Sequence, residues 1–234
     1  MLELDKVNTY YGEFQALKEV SLKVNDGELV ALFGPNGHGK STLLRTICGL
    51  LPPASGSVKF NGTEISKLPT EKIVRMGLVY IAEERHLFRE MTVLENLKLG
   101  AYCRNARQKE GQNLDYVFQL FPRLKEWRNR VASTLSGGEA RMLAIGRGLM
   151  SSARFLAIDE PSFGLAPNLT KDVFNKISEI QQSGISILLV EQNIAQASEL
   201  ADRIYLMEDG RIVFEGGKEE ALSNEHVKEV FLGM

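Results

Sequence analysis

Residues 34–42 read Gly34-Pro35-Asn36-Gly37-His38-Gly39-Lys40-Ser41-Thr42. This is the spacing G-x-x-x-x-G-K-[ST], and its chemistry is the cradling of phosphate. Glycines let the backbone curl until several N–H groups face inward as an anion nest. The pattern predicts a helix from about Lys40 to Cys48, so its positive dipole end would face the same anion. On this reading Lys40 reaches the β- and γ-phosphates of a nucleotide, and the Ser41 hydroxyl binds Mg²⁺.

A second group of chemical residues lies about 120 positions further on. Phe155-Leu156-Ala157-Ile158 is an apolar run ending in the adjacent carboxylates Asp159 and Glu160. Neighbouring side chains diverge at a strand's end, so one acid can serve a metal while the other addresses a water. Asp159 is assigned to the Mg²⁺ shell and Glu160 to polarising the attacking water. Between these two groups, Leu135-Ser136-Gly137-Gly138-Glu139 opens an apolar-periodic helix, Ala140–Met150. Ser136, Gly137, Gly138 and Glu139 then form a second helix start able to hold an anion. The plainer alternative is a helix cap by Ser136.

These residues need strands before them and helices after them. Leu29–Phe33 is a short continuous apolar run, as in a strand buried on both faces. Residues 17–24 carry the period-two alternation of a half-buried strand, and Asp26-Gly27 is a turn. A strand is expected over Ser57–Phe60 and another over Leu78–Ile81. Thr92 and Glu95 make a capping box that places a helix start near Thr92. Residues 104–113 form the most polar window and read as an exposed connection, followed by a helical pattern to about Met150. Beyond lie a helix after Pro167, a strand at Ile185–Val190 and a helix after Asn193. Ile204–Met207 then turns at Asp209-Gly210 into Arg211–Phe214. The alternation predicts an α/β fold with a mostly parallel, doubly wound core sheet.

The composition agrees. Of 234 residues, 44% are hydrophobic and 25% charged, which excludes a disordered, collagen-like or coiled-coil chain. The net charge of −2 implies no general field for nucleic acid or anionic membrane. Two cysteines, Cys48 and Cys103, cannot frame a disulfide scaffold, so reduced thiols in the cytosol are expected. The start lacks a signal-peptide pattern, and no run of about 18 apolar residues predicts a membrane span. His38, His86 and His226 show no ligand spacing, so no zinc site is expected. Asn175-Lys176-Ile177-Ser178 lacks the Asp of a guanine-reading motif, which disfavours a GTPase. The basic run Arg123, Lys125, Arg128, Arg130 reads as a solvated helix face rather than a docking patch.

Taken together, the phosphate loop, the Leu135–Glu139 signature and the Asp159-Glu160 pair resemble the ATP-binding cassette (ABC) ATPases over nearly the whole chain. The resemblance implies a P-loop NTPase fold with an N-terminal antiparallel β subdomain. It makes 84–150 a helical signature subdomain, and 1–83 with 151–234 the core and β subdomains. It implies ATP and Mg²⁺ as ligands, and Tyr11 as the aromatic stacked on adenine, where the alternative is an ordinary strand aromatic. Catalysis would rest on Glu160, Lys40 and Gln192. ATP would be sandwiched between the loop of one cassette and the signature of a second, in a homo- or heterodimer. A narrower resemblance is to the smaller ATPase subunit of branched-chain amino acid importers. It is carried by Ile81–Phe88, Leu120–Leu124, Met142–Arg147, Gly164–Pro167 and Val190–Asn193. It implies transmembrane permease partners contacted through 84–104, an indirect solute-binding protein, no nucleic acid, and a peripheral place on the cytoplasmic membrane face. A urea or short-amide importer ATPase, a cassette acting on DNA or the ribosome, and a weakly hydrolysing regulatory subunit are the alternatives.

Four positions depart from the general cassette. Glu83 stands where a metal-touching glutamine is usual; it keeps an acceptor for metal or water but adds negative charge. Gln192 replaces the switch histidine, so it can donate a hydrogen bond but not carry a proton. Ala166 removes an acid from the expected dimer seam. His38 occupies a small-residue position, where its ring could reach a phosphate or the facing subunit, or simply point to solvent.

Overall fold

The structure is a computed structural model that describes residues 1–192, 194–224 and 227. The first third runs β1 (Leu2–Tyr11), β2 (Phe14–Val24), β3 (Leu29–Phe33), α1 (Lys40–Ile47), β4 (Ser55–Phe60), β5 (Thr63–Glu64), α2 (Thr70–Arg75) and β6 (Leu78–Ile81). Five helices follow: α3 (Val93–Gly100), α4 (Arg104–Gln108), α5 (Glu110–Leu120), α6 (Pro122–Glu126) and α7 (Gly137–Leu149). The last third alternates β7 (Phe155–Asp159), α8 (Pro167–Gln182), β8 (Ser186–Val190), α9 (Ile194–Leu200), β9 (Arg203–Glu208), β10 (Arg211–Gly216) and α10 (Lys218–Ser223).

Two sheets result. The first is antiparallel, in the order β2-β1-β4-β5. The second is β10-β9-β3-β8-β7-β6, parallel except for the β9–β10 hairpin at Asp209-Gly210. Both turn residues have positive φ, as a tight Asp-Gly hairpin requires. The α/β architecture with a mainly parallel core sheet is therefore present, beside an antiparallel N-terminal sheet.

Every residue of β3, β7 and β8 is buried. Alternate side chains feed two cores. Val30, Leu32, Ala157 and Leu188 face β1, β2, β4 and α1. Leu29, Ala31, Ile158 and Leu189 face the other way, onto Leu97, Val117, Leu143 and Ile177 of the helices. The helices between 93 and 149 thus share one continuous apolar core with a face of the parallel sheet.

Two local expectations need correction. The alternation of residues 17–24 is broken: Leu17, Val20, Leu22 and Val24 are buried, with two residues between the first pair. Glu19 absorbs the extra residue at φ 52°, and Lys6 does the same for β1 at φ 45°. These are β-bulges, which restore the inward register. Residues 104–113 are not a connection but α4 and the start of α5. Arg, Ala, Gln, Lys and Glu are good helix formers, and one buried anchor, Ala106, with the Asn113 amide donating to Met150 O (3.0 Å), docks the segment. The capping box at Thr92 is formed: Glu95 N donates to Thr92 Oγ1 at 3.2 Å and Thr92 N to Glu95 Oε2 at 2.8 Å. Asn193 and His226 lie outside the described residues.

Candidate nucleotide and metal site

The sheet order explains why distant residues meet. β3, β8, β7 and β6 are neighbours and run parallel, so the chain leaves all four at the same edge. There they present the Gly34–Thr42 loop, Glu191-Gln192, Asp159-Glu160 and Ala82-Glu83 respectively. A crevice beyond the carboxyl ends of a parallel sheet is where such folds bind ligands. A cleft of about 290 Å³ opens there, lined by Asn36, Gly37, Gly39–Thr42, Glu83, Glu160, Phe163 and Gln192.

The loop is held by backbone that admits only glycine at two points. A Cβ on Gly34 would sit 2.4 Å from Met207 O. Gly39, at φ 104°, starts α1, and a Cβ there would meet Ala16 O at 2.9 Å. Lys40 is buried, and its Nζ donates to Gly34 O (2.7 Å) and Pro35 O (3.0 Å). Its Nζ also lies 3.7 Å from Glu160 Oε1. Burial lowers the Lys40 pKa, and the nearby charges of Glu160 and Asp159 oppose that fall.

The acids occupy different settings. Asp159 ends β7, buried; Ser41 Oγ donates to its Oδ1 (3.1 Å) and Tyr80 OH to its Oδ2 (2.8 Å). Burial raises its pKa, the two hydroxyl donors pull it back, and the Glu160 charge pushes it up again. Glu83 is also raised, first by burial and then by Glu160 and Asp159. Glu160 has φ 41°, a conformation that stores strain unless its surroundings impose it. Two bonds do so: Glu160 N donates to Val190 O (2.9 Å), and Arg141 Nη2 donates to Glu160 O (3.2 Å). Gln192 Nε2 donates to Glu160 Oε2 at 2.5 Å. The loop lysine, the base candidate and the switch amide are thus brought together.

The remaining expected residues fall elsewhere. Ser136 and Gly137 are exposed, and none of Ser136–Glu139 lines the cleft. Glu139 Oε2 accepts from Ser136 N (2.8 Å), so the carboxylate closes its own helix start. Tyr11 ends β1 with its ring 43% exposed and outside the cleft lining, its hydroxyl beside the Arg45 guanidinium. His38 neither lines the cleft nor points free into solvent. Its Nδ1 accepts from Asp209 N (3.0 Å) and its carbonyl from Gly210 N (3.1 Å), which clips the loop to the β9–β10 turn.

Sequence reasoning does not single out four residues in or behind the site. Tyr80 reads from sequence only as part of a strand, yet its hydroxyl orients Asp159. Phe163, 57% exposed, forms part of the cleft wall after the acidic pair. Glu191, buried, accepts from Ser162 N (2.9 Å), Ser162 Oγ (2.9 Å) and Gln192 N (3.0 Å), joining the two loops that carry Glu160 and Gln192. Arg141, fully buried in α7, donates to Ala82 O (3.0 Å), Glu83 O (2.9 Å) and Glu160 O. Burial brings its pKa down to about 10. The signal was available: it is a charge on the apolar stripe of a helix, which must find buried acceptors.

Among the described residues no three His, Cys, Asp or Glu side chains are arranged to hold a metal by themselves. The Ser41 hydroxyl and Asp159 carboxylate fit Mg²⁺ all the same, because that ion takes one or two protein oxygens and completes its shell with phosphates and water. The raised Asp159 pKa makes a further prediction. A carboxyl whose pKa is higher folded than unfolded stabilises the fold at low pH and loses that contribution as pH rises through its folded value. At neutral pH the Asp159 charge therefore works against the fold. Asp159→Asn should raise the Tm of the nucleotide-free chain near neutrality, by about 2–4 °C per kcal/mol at this length, with no gain below about pH 4. The same variant should lose Mg²⁺-dependent hydrolysis. A lower Tm at neutral pH in scanning calorimetry would contradict the electrostatic account.

Comparison with known proteins identifies the family. A family model for the ABC transporter matches residues 17–163. The chain is 47% identical over 233 residues to the high-affinity branched-chain amino acid transport ATP-binding protein BraG of Pseudomonas aeruginosa, covering 100% of both. It is 37% identical to a probable branched-chain amino acid transport ATP-binding protein, LivF, of Archaeoglobus fulgidus, covering 100% of this chain and 99% of that one. A crystal structure of the ADP conformation of an ATP-binding cassette of an ABC transporter superposes with a TM-score of 0.87 at 31% identity, over 100% of this chain and 99% of the other. With its phosphate loop, acidic strand end and signature helix on this fold, the chain belongs to the ABC transporter family of ATP-binding cassettes.

Proposed function

We propose that the chain is the ATP-hydrolysing subunit of an importer for branched-chain amino acids. The observation that carries this is the meeting of Lys40, Ser41, Glu160 and Gln192 in one cleft, with Asp159 hydrogen-bonded to Ser41 behind it, on a chain whose relatives bear that transport name. Lys40 exchanges its two carbonyl acceptors for phosphate oxygens, and the loop amides take the rest. Ser41 and Asp159 would hold Mg²⁺ directly, with Glu83 accepting from its water shell, and the ion would neutralise phosphate charge. Glu160 takes the proton of the attacking water, and the Gln192 amide fixes the carboxylate's free direction. Catalysis is then positioning and charge stabilisation. Tyr11 supplies a face for the base.

The exposed Ser136-Gly137 helix start supports a partner cassette, a second copy or a homologue, whose loop-bound ATP it would cover. In this arrangement 84–150 acts as the helical unit against a core made by 1–83 and 151–234. No helix of the described residues is long and apolar enough to cross a membrane, so separate permease subunits would supply the path. A groove of about 410 Å³ suits their docking. It is walled by Leu50, Phe88, Leu99 and Tyr102, each well exposed for an apolar side chain. Three of the four lie in 84–104. The subunit then works at the cytoplasmic membrane face, and a solute-binding protein delivers cargo from the other side.

Vesicles carrying the chain with its permease partners should accumulate leucine, isoleucine or valine only when ATP is present on the cassette side. Phe88→Asp should lose the permeases on co-purification and abolish uptake, with ATP affinity unchanged. Uptake driven by urea or a short amide, without response to branched-chain amino acids, would move the cargo to that alternative.

A further inference from the structure

A second cavity, of about 690 Å³, shares no lining residue with the nucleotide cleft. It lies where the end of α2, the α3–α4 segment and the α7–β7 connection converge, and it meets the docking groove at Tyr102 and Ser151. Four cations line it: Arg75, Arg104, Lys109 and Arg154. No aspartate or glutamate does. The acids next to it along the chain are already engaged, Glu71 with Arg75 and Glu110 with Lys98 at 3.7 Å. Among the described residues Arg104, Lys109 and Arg154 have no carboxylate within ion-pair distance.

This is a concentration of positive charge in a chain whose net charge is −2. Gathering three unpaired cations, Arg104, Lys109 and Arg154, around a concave surface focuses the field, and the repulsion is relieved by a bound anion. Guanidinium groups suit phosphate oxygens in particular, because their planar forks donate two bonds at once. The Asn61 and Asn105 amides add neutral donors. The volume is that of a small-molecule site rather than a single-ion nest. Met76 and Tyr102 supply apolar surface for whatever carries the phosphate.

We propose that this cavity is a second anion site, taking a phosphate-bearing small molecule or headgroup on Arg104, Lys109 and Arg154, with Arg75, itself paired with Glu71, at its margin. It adjoins the groove assigned to the permeases but does not rest on that assignment, nor on ATP hydrolysis. Its ligand chemistry has two sources, a free polyphosphate ester or an anionic lipid, and the test separates them.

The test uses the full chain carrying Lys40→Ala, so that the phosphate loop does not obscure the result. One arm titrates inorganic tripolyphosphate by calorimetry. The other floats the protein with phosphatidylglycerol vesicles, against phosphatidylcholine alone. Each is repeated with Arg104→Ala, Lys109→Ala and Arg154→Ala added; all three side chains are exposed and outside both apolar cores. At least one probe should bind, and the triple substitution should weaken it on the order of tenfold or more. Tripolyphosphate binding identifies a soluble source. Binding to phosphatidylglycerol alone identifies a headgroup. Failure of both probes, or binding that survives the triple substitution at equal affinity, overturns the proposal. With Lys40 intact the triple variant should hydrolyse ATP at the parent rate, so a negative result here leaves the nucleotide cleft untouched.

Discussion

Glu160→Gln should bind ATP as tightly as the parent and hydrolyse it about 10²–10⁴-fold more slowly, the range expected for losing a general base. The substitution is nearly isosteric. The bonds that impose the unusual backbone at 160, from its own N–H to Val190 O and from Arg141 to its carbonyl, involve no side-chain atom of 160 and remain. A glutamine oxygen can still accept from Gln192 Nε2. What disappears is the carboxylate's capacity to take a proton. Bound nucleotide should then persist, and paired cassettes should accumulate on size exclusion with ATP. Single-turnover hydrolysis at the parent rate would remove Glu160 as the base.

Lys40→Ala has the largest expected effect on binding. The ammonium is buried, donates twice within the loop and faces Glu160. Phosphate oxygens would replace those acceptors through charge-assisted bonds, each contributing about 1.5–3 kcal/mol. Losing them should weaken ATP on the order of a hundredfold or more. There is a second cost. Lys40 lies 3.7 Å from Glu160 and its charge offsets that carboxylate, so without it an incoming triphosphate meets more negative charge. Calorimetry showing unchanged ATP affinity would refute the loop as the phosphate site.

What could be read from the sequence was local. The all-apolar run Leu29–Phe33 is a strand with those bounds, because burial on both faces leaves no room for polar residues. Thr92 and Glu95 announce a helix start through side chains that bond their own backbone. The phosphate loop and the acidic strand end follow from residue types that few other arrangements use. What escaped depends on contacts between distant segments. No pattern near Tyr80 says that its hydroxyl meets Asp159, 79 positions away. The register breaks at Lys6 and Glu19 are decided across a strand pair, and a strict alternation cannot show them. The polarity of residues 104–113 suggests a connection, although it describes the exposed side of a short helix equally well. The sequence around His38 points only to phosphate, a facing subunit or solvent, since the β9–β10 turn that receives it lies 171 residues downstream.

One guanidinium leaves a mechanical imprint. Its three acceptors belong to two loops that border the triphosphate seat, while its own Cα rides one turn inside the rod that begins at Gly137. The exposed start of that helix and the backbone of Glu160 are therefore ends of a single strut. In the proposed sandwich, a neighbour's ATP seated on that tip would load this strut and so bear on residue 160 of the same molecule, which would tie the turnover of one subunit to the engagement of the other.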